Sequence, residues 1–256
     1  MDIPAYLERI GYQGSVSPSA ETLRNLQLAH LFTVPFENLN IHYQQPIVLD
    51  DESLFDKIVR RRRGGFCYEL NGLFAGLLRD LGFEVEMLSA RVANGAGEFG
   101  PDFDHMTLMV KLERRWLVDV GFGDSFREPL LIDEPGEQSQ NERAYKIVAG
   151  GERLVLWQRE QESSWKPQYS FTLQPFSYSD YAAMCHYHQT SPQSHFTRGR
   201  ICTRATPDGR ITLADLRLIT SDQGMRREQL IGDEESYFGA LKKLFGVTIR
   251  AQDCNS

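Results

Sequence analysis

Apolar positions recur at helical spacing through the first third of the chain and alternate through the middle, with the change of period falling near Gly82. Residues 3–10 form a short amphipathic segment stopped by Gly11. Ser17 or Ser19 can cap a helix through Leu23, Leu26 and Leu31 that ends before Pro35. Residues 34–39 read as a compact turn and residues 53–62 as another helix. The stripe Leu70, Leu73, Phe74, Leu77, Leu78, Leu81 then predicts one amphipathic helix, with Gly82 where a C-terminal cap is expected.

Beyond Gly82, β-rich or alternating segments at 84–92, 105–112, 116–120, 144–148, 154–158 and 168–173 predict a curved antiparallel sheet or small barrel. The glycine- and acid-rich segment 94–104 is a loop between the first two strands. Residues 177–188 suit a short helix and residues 190–194 a linker. Asp208-Gly209 predicts a hairpin between 200–206 and 210–218. A last helix runs from a cap at Asp233 through Phe238, Leu241, Leu244 and Phe245 to Gly246. The order is helices, then strands, then a small α/β tail, without internal repeats.

Composition narrows the class. The 256 residues are 41% hydrophobic and 25% charged, ordinary values for a globular protein with a sizeable core. A net charge of −7 argues against nucleic acid as a general partner. The run Arg60-Arg61-Arg62-Arg63 still concentrates positive charge where an anionic cofactor could enter, the competing reading being a solvated face. Four widely spaced cysteines (Cys67, Cys185, Cys202, Cys254) without a CxxC suggest neither a zinc site nor a disulfide framework. The opening nine residues carry no apolar signal core and no stretch reaches membrane-span length, so a reducing cytoplasm is expected.

In that setting Cys67 stands out. It follows Gly64-Gly65-Phe66 at the first turn of its helix, where the macrodipole and unpaired N–H groups favour thiolate. The glycines permit a sharp turn and close approach of a substrate. The alternative is a small buried core residue. A nucleophile needs a base, and there are six histidines. His30 and His42 read as structural; His186 and His188 suggest a metal pair but lack a carboxylate–histidine set. His105 opens a strand directly after the acidic loop, where its ring can face a cleft. Asp119 is the one carboxylate within the apolar run 116–120 and requires a partner if buried, or else faces solvent. A hairpin with its loop at residues 113–115 puts His105 and Asp119 on one face but four positions apart, about 13 Å of strand. A twist, a bulge or another pairing must close that gap.

These residues together resemble the arylamine N-acetyltransferases. Arg62-Arg63-Gly64-Gly65-Phe66-Cys67-Tyr68-Glu69 is similar to the family's nucleophile motif, and His105 with Asp119-Val120-Gly121-Phe122-Gly123 follows in the expected order. Tyr6-Leu7-Glu8-Arg9-Ile10-Gly11, Val34-Pro35-Phe36-Glu37-Asn38-Leu39 and Ser191-Pro192-Gln193-Ser194-His195-Phe196 extend the likeness over essentially the whole chain. The resemblance implies an α+β fold with a cysteine-protease/transglutaminase-like core. Its parts are an N-terminal helical bundle carrying the nucleophile (1–83), a central antiparallel β-barrel carrying His and Asp (84–190), and a C-terminal α/β lid (191–256). It implies a Cys67–His105–Asp119 triad and ping-pong transfer from acetyl-coenzyme A, without a metal, to an arylamine, arylhydroxylamine or hydrazine. Phe36 and Phe122 are implied as acceptor walls, with core packing as their alternative, and Phe196 as a coenzyme contact from the lid. Arg198 and Arg200 are candidates for the phosphates, and backbone N–H groups near Cys67 for the oxyanion. Neither nucleic acid nor membrane is expected as a partner, and a homodimer is open. The competing activities are an amide synthase closing a macrolactam with the same triad, a cysteine hydrolase or transglutaminase, and a binding module with a degenerate site.

Overall fold

The computed structural model describes residues 1–161 and 163–249; Cys254 lies outside them. Helix α1 (Ile3–Ile10) is capped by Asp2 and ends at left-handed Gly11, φ 67°. Helix α2 (Ala20–Thr33) is capped by Ser19 and stops at Val34, ahead of Pro35. Residues 34–39 are more than a turn. Phe36–Glu37 is a two-residue strand, β1, followed by the short helix α3 (Leu39–His42). Helix α4 (Asp51–Phe55) widens into a π turn at Asp56–Arg60.

Helix α5 (Cys67–Asp80) was expected to be amphipathic, yet every residue from Cys67 to Leu78 is buried. It is the hub of the molecule, packed by α1, α4 and a later helix and by two strands of the barrel. Gly82, φ 91°, closes it as expected.

Eight antiparallel strands follow: β2 (Glu84–Val92), β3 (His105–Lys111), β4 (Arg115–Val118), β5 (Leu130–Leu131), β6 (Gln138–Gln140), β7 (Arg143–Gly150), β8 (Arg153–Glu160) and β9 (Lys166–Phe176). Their order is β5-β4-β3-β2-β9-β8-β7-β6, a nearly closed barrel. Side chains tie the seam between the end strands. The Gln138 amide accepts from the Leu131 N–H at 2.7 Å and donates to its carbonyl at 2.9 Å. Alternation decides the two faces of the sheet: Leu88 and Ala90 join Tyr169 and Phe171 in one core, whereas Val85 and Met87 pack with α5 in another.

Helix α6 (Tyr178–Thr190) adds Tyr181 and Cys185 to the core that holds Cys67. The segment after it is no free linker, because the Asn38 amide donates to the Phe196 and Gly199 carbonyls, both at 2.9 Å. Strands β10 (Ile201–Thr206), β11 (Gly209–Ala214), β12 (Arg217–Asp222) and β13 (Met225–Leu230) form a second sheet in the order β1-β10-β11-β12-β13. One hairpin was expected and three are found. Two-residue turns at Asp215-Leu216 and Gln223-Gly224 break the chain again, with Asp215 and Gln223 at positive φ. Helix α7 (Glu234–Ala240), capped by Asp233 and ended by Gly246, packs Tyr237 and Leu241 against Leu39, Cys202 and Leu213.

Candidate active site

The turn before Cys67 is clamped from two sides. Strand β1 pairs with β10 on one edge, and on the other the Glu37 N–H donates to the Gly65 carbonyl at 2.9 Å. A Cβ on Gly64 would stand 2.0 Å from the Pro35 carbonyl oxygen, so only glycine fits there. The reason is chain-to-chain contact and not substrate approach, and the left-handed residue of this turn is Arg62, φ 52°. Buried ion pairs complete the clamp. Arg63 meets Glu37 at 2.8 Å and donates to the Asn40 side chain; Lys57 meets Glu69 at 2.6 Å, and the other Glu69 oxygen takes the Phe66 N–H. Arg60 pairs with Glu52 and Arg61 with Asp56. Arg60, Arg61 and Arg62 are exposed, in keeping with the solvated-face reading of the run, and Arg63 alone is a buried anchor.

Cys67 is 3% exposed at the first position of α5. Because Glu69 occupies the Phe66 N–H, the Cys67 and Tyr68 amides are the first-turn donors left for a developing oxyanion. Burial pushes the thiol well above its ordinary value. The Met106 N–H donates to Sγ and opposes this, while Cys185, Asp104 and Asp119 add to it. The helix terminus alone therefore does not make a free thiolate. A thiolate here requires a cation beside it.

The barrel brings His105 and Asp119 together by a pairing one residue off the expected one. Strands β3 and β4 pair Leu108 with Val118 and Lys111 with Arg115, so the loop is 112–114 and Thr107 faces Asp119. His105 is then two positions from Asp119, and the side chains span the rest: Nε2 lies 2.7 Å from Oδ2. The ladder ends at Val118 because Asn71, one helical turn after Cys67, wedges it open. Its Oδ1 accepts the Val120 N–H at 2.8 Å, and its Nδ2 donates to the Met106 carbonyl at 2.6 Å and to Asp119 Oδ1 at 2.9 Å. Met106 thus turns both backbone groups to α5, the carbonyl to Asn71 and the N–H to Sγ. Gly121 closes the contact. A Cβ there would stand 2.8 Å from Cys67 Cα.

Asp119 is 3% exposed and also accepts from the Gly121 N–H at 2.9 Å and the Tyr169 hydroxyl at 3.2 Å. Burial pushes its carboxyl up, but His105 and the Asn71 and Gly121 donors prevail and hold it below the ordinary value. An ionised Asp119 fixes the His105 proton on Nε2 and leaves Nδ1 as the basic nitrogen. Asn71, Gly121 and Tyr169 were not singled out from sequence. A lone amide in a buried apolar helix was the available signal for Asn71; none marked Tyr169.

The Phe122 ring lies 5.1 Å from the His105 ring and is half-buried. Phe36, also half-buried, lies 6.1 Å from Phe196. Phe196 is buried against Phe66 and His188 at 5.6 and 5.1 Å. Arg200 is held by Glu234 at 2.6 and 2.8 Å and stacks on Tyr237, and Arg198 donates to the Gln193 carbonyl, so neither was found poised for a phosphate. His30 is buried between Tyr6 and Phe74, and His42 approaches the Asn38 amide. His186 is exposed while His188 is buried, so the two do not converge.

The start of α5 with its buried cysteine thus adjoins the barrel segment in which Asp119 holds His105, and comparison with known proteins gives the family. The N-acetyltransferase family model matches residues 19–254. An arylamine N-acetyltransferase / N-hydroxyarylamine O-acetyltransferase of Salmonella typhimurium is 35% identical, over 96% of this chain and 88% of that one. The solved arylamine N-acetyltransferase of the same organism superposes with a TM-score of 0.91 at 32% identity, covering 98% of this chain and 95% of that one. The Mycobacterium marinum enzyme in complex with CoA gives 0.90 at 31% identity, covering 100% and 95%. The chain belongs to the arylamine N-acetyltransferase family.

Proposed function

We propose that this protein transfers acetyl from acetyl-coenzyme A to an arylamine, arylhydroxylamine or hydrazine through an acetyl-cysteine on Cys67. The observation that carries this reading is the meeting of α5 and the barrel at Cys67: a Cβ on Gly121 would stand 2.8 Å from Cys67 Cα, and two residues earlier Asp119 holds His105 at 2.7 Å. In the first half-reaction the Cys67 proton passes to His105 Nδ1, Sγ bonds to the acetyl carbon, and the departing coenzyme thiolate takes the proton back. In the second, the amine attacks the thioester carbon, His105 accepts the amine proton, and the carbon–sulfur bond breaks to return the Cys67 thiol. The Cys67 and Tyr68 N–H groups stabilise the oxyanion in both.

Phe122 beside His105 and Phe36 at the lid are the aromatic walls for the acceptor, and Phe196 supports the coenzyme side through Phe36. The division into 1–83, 84–190 and 191–256 belongs to the same proposal, as does a homodimer, which sedimentation would test. The unbridged thiols Cys67, Cys185 and Cys202 support a reducing, cytoplasmic setting. The test is mass spectrometry after mixing with acetyl-coenzyme A alone. One acetyl group on Cys67, discharged by a simple aniline, is the expected result. An adduct elsewhere, or none, sinks the reading; an adduct that anilines do not discharge favours an amide synthase.

A further inference from the structure

Helix α6 carries a second histidine–carboxylate contact that the acetyl-transfer steps do not use. His188 is 2% exposed; its Nδ1 lies 3.1 Å from Ser194 Oγ and its Nε2 3.3 Å from Asp104 Oδ1. Nε2 is buried and makes no hydrogen bond of good geometry. Both ends of the contact are fixed. Ser194 Oγ also accepts the Phe196 N–H at 3.2 Å, and the His188 ring is enclosed by Tyr68, Tyr187, His195 and Phe196.

The contact adjoins the reacting residues on both sides. Asp104 immediately precedes His105, and Tyr68 immediately follows Cys67. The Tyr68 hydroxyl donates to the Phe103 carbonyl at 2.6 Å, holding this corner to α5. After burial itself and the Cys185 thiol, the Asp104 and Asp119 carboxylates oppose ionisation of Cys67. His105 answers Asp119. Among the groups facing Asp104, Tyr68 carries no positive charge, and His195, although Asp104 favours its charged form, is held down by burial, by His188 and by Arg198. That leaves His188.

We propose that His188 is a positioning residue for acetyl transfer: it holds the Asp104 carboxylate toward α6 and offsets its charge, so that Cys67 can ionise toward His105. The inference rests on Cys67 as nucleophile. Ser194 extends the tie to the start of the C-terminal sheet, so the charge beside the thiol depends on how that segment is seated.

The test is the pH dependence of Cys67 alkylation by iodoacetamide, read by mass spectrometry, with kcat/KM for acetyl-coenzyme A in parallel. His188→Leu, Asp104→Asn and the double variant are compared with the unsubstituted protein. His188→Leu is expected to move the alkylation midpoint up by about one pH unit and to lower kcat/KM at neutral pH about tenfold. The double variant is expected to return both to the Asp104→Asn values, because there is no longer a charge to offset. An unmoved midpoint in a folded His188→Leu protein overturns the proposal. So does a double variant as impaired as His188→Leu, which would mark a packing role. His188→Phe keeps the aromatic packing and is read the same way if the leucine variant does not fold. No alkylation of Cys67 in the unsubstituted protein would instead overturn the nucleophile reading itself.

Discussion

Asn71 donates to the carbonyl of Met106 at 2.6 Å, in the seat that a strand partner would otherwise fill. The ladder between β3 and β4 opens there, and through the opening α5 reaches the barrel with its sulfur and its amide on one face. Asn71→Ala leaves the Met106 carbonyl, the Val120 N–H and one Asp119 oxygen short of a partner in a buried place. The expected cost is about 2–4 kcal/mol in a denaturant titration, with kcat/KM reduced at least tenfold. Near-normal values for both would mean that water replaces the amide.

Gly121 is required by contact, since its φ is not in the left-handed region. In Gly121→Ala the new methyl meets Cys67 Cα at 2.8 Å and Cys67 O at 2.9 Å, both backbone atoms that cannot turn aside. The segment carrying Asp119 must back away from α5. Overpacking of this kind costs about 1–3 kcal/mol, and kcat should fall much more than KM rises. Unaltered kcat would show that the segment moves without disturbing His105.

Asp119→Asn keeps the shape of the side chain but removes the charge that fixes the His105 proton on Nε2. A loss of about a thousandfold or more in the acetylation rate is expected, by analogy with the loss measured when the triad aspartate of serine proteases is so changed. Stopped-flow measurement of coenzyme A release checks it, and a rate close to normal would place the orienting acid elsewhere.

Stability at mildly acidic pH should depend on His30. Burial, with Arg9 adding, pushes this imidazole down to about 3. The unfolded chain gains a proton below about pH 6.5 that the folded protein does not take up. Stability from this site is thus complete above that pH and declines by about 1.4 kcal/mol per unit as the pH falls toward the folded value. His30→Phe should flatten the curve by that slope between about pH 6 and pH 4. Identical slopes in urea titrations would show that His30 protonates within the fold.

Local signals in the chain carried the helix stripe after Cys67, the strand 84–92, the caps at Ser19 and Asp233, and the candidate residues Cys67, His105 and Asp119. Each depends on neighbours within a few positions. The parts that escaped depend on distant ones. Strand β13 is polar and wholly exposed, so no alternation marks it. The turn feeding β12 puts Asp215 at positive φ without a glycine to mark it, whereas the turn feeding β13 carried a readable sign in Gly224 that the polar strand beyond it left without a partner pattern. The His105–Asp119 gap hinged on one residue of hairpin register, which repetitive apolar strands leave open. Tyr169 reaches Asp119 across the barrel, a relation that no sequence spacing encodes.

Strand β1 has a consequence for how this protein is made. Phe36 and Glu37 pair with Thr203 and Cys202, and through Glu37 with the turn at Gly65. A nascent chain of 190 residues already contains Cys67, His105 and Asp119, yet Cys202 and Thr203, the outer rail of the nucleophile turn, have not been made. Contacts of such long separation form late. Synthesis order therefore leaves β1 without its β10 partner, and the nucleophile turn without its outer rail, until most of the chain has been made.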